Sequence, residues 1–507
     1  MKKIKNIKNI MVILLLCWLS QACSEFLNVD IPDVLPDKDF WKTRAQVEAA
    51  RNGVYTQLGN CITNFIVWGD VRSDLYATGN ASTSDRSQLI NQDILTSNGY
   101  ANWSNVYTTI NYANSFIRNA RRVLAFDETM EEDVEYMIGE MYGIRALCYF
   151  YLVRTFNDVP VHLEPYESDK QEVNVPASPE SQVLDTIEAD LRTALRLAPD
   201  SYETAKDNYG RVTKKAVRAI WADVKLWRGD YDGCIGLCEE LETEYQDKLV
   251  KTDNWFSIFG AGNSTESIFE YQYSSDGVAS PLSYFATFYY TSLGNGSFAG
   301  NYKAYRRNMQ KVYAGSGMRT FSDTVRTNGT TVGNYSSNGR LDVYKYQGIA
   351  AGYEEFLYRD DMTKFDAHFI FYRFREILLI KAEALAMQGE FEKAIEPINV
   401  IREATGLETT NLAKFGSGET FFDKLLSERC AELAYEGKQW FSLVRIALHT
   451  GYTNLLVDRI AETHLDLTSA VVKSRLQDVE GWFMPYLKTE VERNHSLEQK
   501  KYYRGKE

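Results

Sequence analysis

The sequence predicts a mainly helical protein: helix pairs stacked into an α–α superhelix, interrupted by a long loop-rich insertion with a few short strands. Three observations predict it. Apolar residues recur with a helical period, with breaks, from about Phe40 to His449. Two segments 160 residues apart repeat one another around a Gly-acid-aromatic turn. Between 246 and 366 the helical period gives way to strand-like alternation and to runs of Gly, Ser, Thr and Asn.

The chain opens with Lys2, Lys3, Lys5 and Lys8, then the apolar run Ile10 to Leu19, then Ser20, Gln21, Ala22 and Cys23. A basic start, a short apolar stretch and small residues are the pattern of a secretory leader. The apolar run would span only about 15 Å as a helix, roughly half a bilayer core. A Cys directly after Ala at the end of such a leader resembles the bacterial lipoprotein signal, so residues 1–22 are expected to be removed and Cys23 acylated. Cys17 follows Leu16 and fits less well. Losing the four Lys moves the net charge from −13 to −17, an acidic balance that argues against nucleic acid as a partner.

Helices are expected near 40–58, 102–124, 129–156, 212–228, 231–245, 367–388, 390–404 and 418–447. The clearest start is Ser178-Pro179-Glu180, an N-cap, a first-turn proline and an early acid. Leu184, Ile187, Leu191 and Leu195 then share one face up to Pro199. In the internal repeat Gly229-Asp230-Tyr231 matches Gly389-Glu390-Phe391, Ala222 meets Ala382, and Cys234, Ile235 and Cys238 meet Ala394, Ile395 and Ile398. Small residues where helices approach and an aromatic opening the second helix resemble the tetratricopeptide helix-turn-helix unit, which buries its faces only by stacking. The chain divides into the leader 1–22, an N-terminal helical region 23–245, the insertion 246–366 and a C-terminal helical region 367–507. Within the insertion Glu266 to Tyr273 alternates like a strand, and its length within a helical array points to function.

Catalytic signatures are scarce. The five His, at 162, 368, 449, 464 and 495, form no metalloprotease motif, and neither a Gly-x-Ser-x-Gly elbow nor a phosphate loop occurs. Cys234 and Cys238 lie one helical turn apart, like half a metal-ligand set, but their repeat counterparts are Ala394 and Ile398, which favours core packing; no metal or cofactor is expected. The other cysteines of the mature chain, 61, 148 and 430, define no disulfide framework. Glu428, Glu432 and Glu436 would lie one turn apart on a helical face, either as a glycosidase pair or, the preferred reading, as an ion network with Arg429, Lys438 and Arg445 nearby. Binding has more support: Tyr alone contributes 33 residues, and aromatic faces suit the C–H surfaces of sugar rings. The expected platforms are Trp68 and Tyr76, with Phe285, Phe288, Tyr289 and Tyr290 in the insertion.

Motifs spread along the chain, from Cys23-Ser24-Glu25-Phe26-Leu27-Asn28 to Leu443-Val444-Arg445, resemble those of the SusD/RagB nutrient-binding lipoproteins. Cys23-Ser24-Glu25-Phe26-Leu27-Asn28 resembles that family's anchor, followed by Phe40-Trp41-Lys42-Thr43 and by Trp103, Tyr107, Ile110 and Asn114 at the family's spacing. Arg145-Ala146 leads through Tyr149-Phe150-Tyr151-Leu152-Val153-Arg154 to Asn157-Asp158-Val159-Pro160, similar to the family's Gly-Asp-Val-Pro turn. Tyr372-Arg373-Phe374-Arg375-Glu376 and Ala382-Glu383-Ala384 follow, then the strongest block, Glu428-Arg429 through Glu432-Leu433-Ala434-Tyr435-Glu436-Gly437 to Trp440-Phe441 and Leu443-Val444-Arg445. Ser442 replaces a usual Asp, Asn157 a common Gly, and Phe483-Met484-Pro485-Tyr486 is a loose form of a closing Pro-Ile-Pro.

The resemblance implies a non-catalytic lipoprotein on the outer face of the outer membrane, built on tetratricopeptide-like helix pairs. It would cap a SusC-like TonB-dependent porin and deliver oligosaccharide to it. The same resemblance leaves peptide as the alternative ligand, and a surface glycosidase using Glu432 and Glu436 is the rival from another class. The family's helical motifs are scaffold and partner surface, so no ligand-binding residue carries over by motif.

Overall fold

The computed structural model describes residues 40–76, 83–167, 171–251, 254–255, 257–260, 262–273, 345–346 and 367–506, and the backbone of 77–78, 302–305, 331–332 and 340–343. The leader, Cys23, Phe285, Phe288, Tyr289 and Tyr290 lie outside the described residues.

The longer N-terminal helices are α1 (Arg44–Gly59), α2 (Ser104–Asn119), α3 (Glu131–Phe156), α4 (Glu180–Leu197), α5 (Lys214–Arg228) and α6 (Tyr231–Tyr245). The C-terminal ones are α7 (Phe374–Met387), α8 (Phe391–Ala404), α9 (Gly418–Leu433), α10 (Gln439–Thr450) and α11 (Asn454–Thr463). Their ends follow local chemistry. A capping box starts α1, with Thr43 Oγ1 accepting from the Gln46 amide at 3.3 Å and Gln46 Oε1 from the Thr43 amide at 3.1 Å. The sequence places the start of α4 one residue early: Ser178 is held in a two-way backbone bridge with Val159, so Pro179 becomes the N-cap and Asp158 Oδ1 accepts from the Glu180 amide at 2.9 Å.

Hairpins α5–α6 and α7–α8 are the two copies of the repeat. Each first helix ends on a left-handed glycine, Gly229 at φ 82° and Gly389 at φ 81°, a conformation that glycine adopts without steric cost. Ala222 and Ala382 are fully buried where the helices meet, and Cys238 and Ile398 occupy equivalent core positions. Helix α6 packs against α7, so the hairpins stack although more than a hundred residues separate them in sequence.

Two expected helices are divided. The 367–388 segment starts as a strand, β6 (Phe369–Arg373), every residue of which is buried, and becomes helical only at Phe374, whose amide donates to Glu266 O at 2.8 Å. Strand β6 pairs antiparallel with β2 (Ser267–Tyr271), so the chain leaves and rejoins the scaffold on adjacent strands. The expected helix 418–447 breaks between α9 and α10, where Tyr435 takes φ 67° and Gly437 φ 75°. A second sheet has the order β1-β3-β5-β4, from β1 (Tyr76–Thr78), β3 (Tyr302–Tyr305), β4 (Thr331–Val332) and β5 (Arg340–Val343). Among the described residues no helix is long and apolar enough to cross a membrane.

Candidate ligand-binding surface

The four-stranded sheet joins the segment that follows Trp68 to strands of the insertion. Tyr76 pairs with Ala304 and Thr78 with Tyr302. The rings of Trp68 and Tyr76, however, are not platforms. Trp68 is 2% exposed, edge-on to Phe156 at 5.3 Å, with its indole N–H donating to Tyr100 O at 2.7 Å. Tyr76 is fully buried against Tyr435 at 5.4 Å and donates to Asp70 Oδ2 at 3.2 Å. Neither ring presents a face to a ligand, because the helical stack needs both as core.

Beneath this sheet lies a cluster of buried charge around the turn between α9 and α10. Glu432 accepts from Arg373 Nη1 at 2.8 Å, and Glu436 accepts from Arg373 Nε at 3.0 Å and from Lys345 Nζ at 2.5 Å. Lys345 also donates to the Glu432 and Ala434 carbonyls at 3.0 Å each, and Tyr346 Oη donates to Tyr435 O at 2.9 Å. Glu266, on the strand side, takes Arg373 and Arg375 at 3.0 Å each. Lys345 and Tyr346 thus plug the insertion into the turn, and Arg373 ties that turn to the β2–β6 neck. Burial works against these charges, but Glu436 and Glu432 hold the Arg373 guanidinium well above its usual value, and Arg373 and Lys345 hold Glu436 below the ordinary carboxylate range.

The acids suggested as a glycosidase pair are therefore closed. Glu428 pairs with Arg402 at 2.5 Å, and Glu428, Glu432 and Glu436 are at most 2% exposed. The ion network expected there exists with other partners: Arg429 and Arg445 serve Glu383, and Lys438 serves Glu376. Glu436 also stands past the helix, in the turn, rather than one turn further along a helical face.

Asp70 closes the cluster from the other side. It is fully buried, accepts from the Gln439 amide at 3.0 Å and the Gly437 amide at 3.3 Å, and burial pushes its carboxyl up to about 7. Gly69 lets this approach happen, since a Cβ there would lie 1.8 Å from Gly437 O. Cys234 and Cys238 are buried free thiols on α6, and among the described residues no group of His, Cys, Asp or Glu could hold a metal ion.

A groove on the described surface combines aromatic and polar lining, and the sequence did not single it out. It measures about 560 Å³ and runs between α2, the segment after Pro160 and the segment around Glu490–Leu497. Trp103 and Tyr107 contribute to it, and both lie in the family-like spacing read above as scaffold. Their sequence spacing signals the helix, but nothing local signals that residues 490–497 cross it.

Two family models match: that described as the SusD family, over residues 282–503, and that described as starch-binding associating with outer membrane, over 25–226. The chain is 25% identical to SusD-like protein P38 of Formosa agariphila over 88% of this chain and 92% of that one. A crystal structure of a SusD superfamily protein from Bacteroides thetaiotaomicron superposes with a TM-score of 0.74 at 19% identity, covering 91% of this chain and 99% of that one. A structure titled laminarin binding SusD-like protein superposes with a TM-score of 0.68 at 19% identity, covering 91% and 99%.

Proposed function

The chain belongs to the SusD family, and from that premise we propose that it is a cell-surface lipoprotein that binds oligosaccharide and passes it to a SusC-like TonB-dependent porin. Family membership over both halves of the chain is the observation that carries this reading. The leader ending in Ala22-Cys23 supports an acyl anchor at Cys23 and a place on the outer face of the outer membrane. The laminarin-binding neighbour supports a glycan as ligand. Phe285, Phe288, Tyr289 and Tyr290 are the proposed platforms, in an insertion whose strands join β1 on one sheet. Binding rather than turnover is the reading we favour, and it is supported by the pairing of the acids densest in sequence with Arg and Lys.

Isothermal calorimetry of the mature chain without Cys23 tests this, against laminari-, malto- and cello-oligosaccharides and a mixed peptide pool. Binding to one saccharide series without release of shorter products is the expected result. Binding to peptides alone would move the protein to peptide uptake, and hydrolysis of a saccharide would overturn the non-catalytic reading.

A further inference from the structure

We infer that the groove beside α2 is a second saccharide site, separate from the insertion, that takes one or two pyranose rings of a neutral oligosaccharide. The inference rests on the glycan reading above and adds a location to it. At about 560 Å³ the groove falls within the roughly 300–1,000 Å³ of small-ligand sites. Its lining mixes aromatic rings with short polar groups, the combination that suits a sugar, whose C–H face needs apolar contact and whose hydroxyls need donors and acceptors.

The lining is already ordered. Tyr107 Oη donates to Pro160 O at 2.7 Å, holding its ring edge-on to Trp103 at 5.4 Å. Tyr166 is fixed twice, by its amide donating to Asn111 Oδ1 at 2.7 Å and its hydroxyl to Glu172 O at 2.7 Å, and it lies 3.1 Å from His162 Nδ1. Asn494 Nδ2 donates to Val175 O at 2.7 Å, which fastens the C-terminal wall to the opposite one. Rigid aromatic walls reduce the side-chain ordering that binding would otherwise cost. Hydrogen-bonding capacity is left over for a ligand: Asn111 uses its carbonyl oxygen internally, and no described residue partners its amide NH2, while Trp103, 4% exposed, backs the groove rather than lending it a free face. Glu490 adds a half-buried carboxylate, 3.8 Å from the exposed Arg493 guanidinium that also lines the groove; the pair offers an acceptor and donors to vicinal hydroxyls.

Thr108 lines the groove from a half-buried position on α2, and no described residue hydrogen-bonds its side chain, so Thr108→Arg fills the space while leaving the ordered wall intact. The test is calorimetry of the mature chain with laminarihexaose, maltohexaose and cellohexaose on four proteins. These are the wild type, Thr108→Arg, the insertion variant with Phe285, Phe288, Tyr289 and Tyr290 all changed to Ala, and the two combined. Unchanged thermal midpoints report intact folding, and Ser104→Arg gives a second block from the preceding turn should Thr108→Arg shift its midpoint. The expected result is two sites per chain in the wild type and one in either single variant, with no binding in the combination. A wild type with one site, lost in the insertion variant and untouched by either block, would overturn the second site and leave the glycan reading standing. No binding of any saccharide to the wild type would remove both.

Discussion

The helix crossings inside the two repeat hairpins and the charged turn between α9 and α10 are equally dry, yet apolar contact fills the first and charge the second, while the hairpins' own buried acids Asp223, Glu376 and Glu383 pair with cations outside them. In the hairpins, small and apolar residues meet at close range: Ala222 and Ala382 at the crossings, Cys234 and Cys238 in one second helix, Ala394 and Ile398 in the other. In the turn, five charged side chains from three separate parts of the sequence, Lys345, Arg373, Arg375, Glu432 and Glu436, are buried on one another. Apolar packing tolerates replacement because its parts are interchangeable in kind. A buried ion network does not, since each missing partner leaves a charge without water or counter-ion. The charged turn is also where Lys345 and Tyr346 fasten the insertion to the scaffold.

The sharpest break of that contrast is Arg373→Met. It removes one hydrogen-bonded cation each from Glu266, Glu432 and Glu436, leaving Arg375 to the first two and Lys345 to the third. Breaking a buried pair from one side costs about 3–5 kcal/mol, and urea denaturation should report a loss approaching that range. Cys238→Ala, a change of comparable burial in the hairpin, removes one sulfur from an apolar contact and should cost well under half as much. Similar losses for the two would mean that the turn is no more demanding than the hairpins.

Acid titration probes buried acids in both regions, Asp70 and Glu436 beside the turn and Asp223 and Glu376 on the hairpin helices α5 and α7. Burial raises Asp70 from 3.8 to about 7, so the native state holds its proton where the unfolded chain has released it. Its contribution is therefore fully present below about pH 4 and lost as pH rises through 7, a change on the order of a few kcal/mol. Glu436 and Asp223 have depressed values, and their contribution is lost only as pH falls through the acid range below the ordinary carboxylate value. Glu376 is raised like Asp70, so the isolating variant is Asp70→Asn. Denaturation midpoints between pH 4 and 7.5 should fall more steeply with pH in the wild type than in Asp70→Asn. Equal slopes would assign the titration elsewhere.

What sequence made legible follows the same divide. The hairpins were readable because periodicity, a turn glycine and a constant offset are local signals, and Gly229 and Gly389 carry nearly the same backbone angle. The turn was not: a helix break at Tyr435 depends on a non-glycine residue taking φ 67°, and the cations for Glu432 and Glu436 come from Arg373 and Lys345 rather than from the neighbouring Arg429 and Lys438. The strand β6 hid at the start of a helix because a run of Phe, Ile, Phe and Tyr buried on all sides has no period to distinguish the two. Trp68 and Tyr76 show the limit for a site. Composition marks an aromatic, but whether its ring faces solvent depends on Phe156 and Tyr435, far along the chain.

The smallest effect tests whether the two hairpins are equivalent as well as similar. Gly229→Ala and Gly389→Ala each force a Cβ into the left-handed region, at a cost of about 1–2 kcal/mol. Their surroundings differ slightly. A Cβ at 389 meets nothing within 4 Å, whereas one at 229 comes to 3.4 Å from the His449 ring, an ordinary contact. Backbone strain should therefore dominate at both, and the two losses should agree closely, with the common value read from urea midpoints at constant slope. A markedly larger loss at Gly229 would have to come from the His449 side, where Tyr231 Oη sits 2.8 Å from Nδ1. That outcome would make the first hairpin turn a contact point with α10 and end its equivalence to the second.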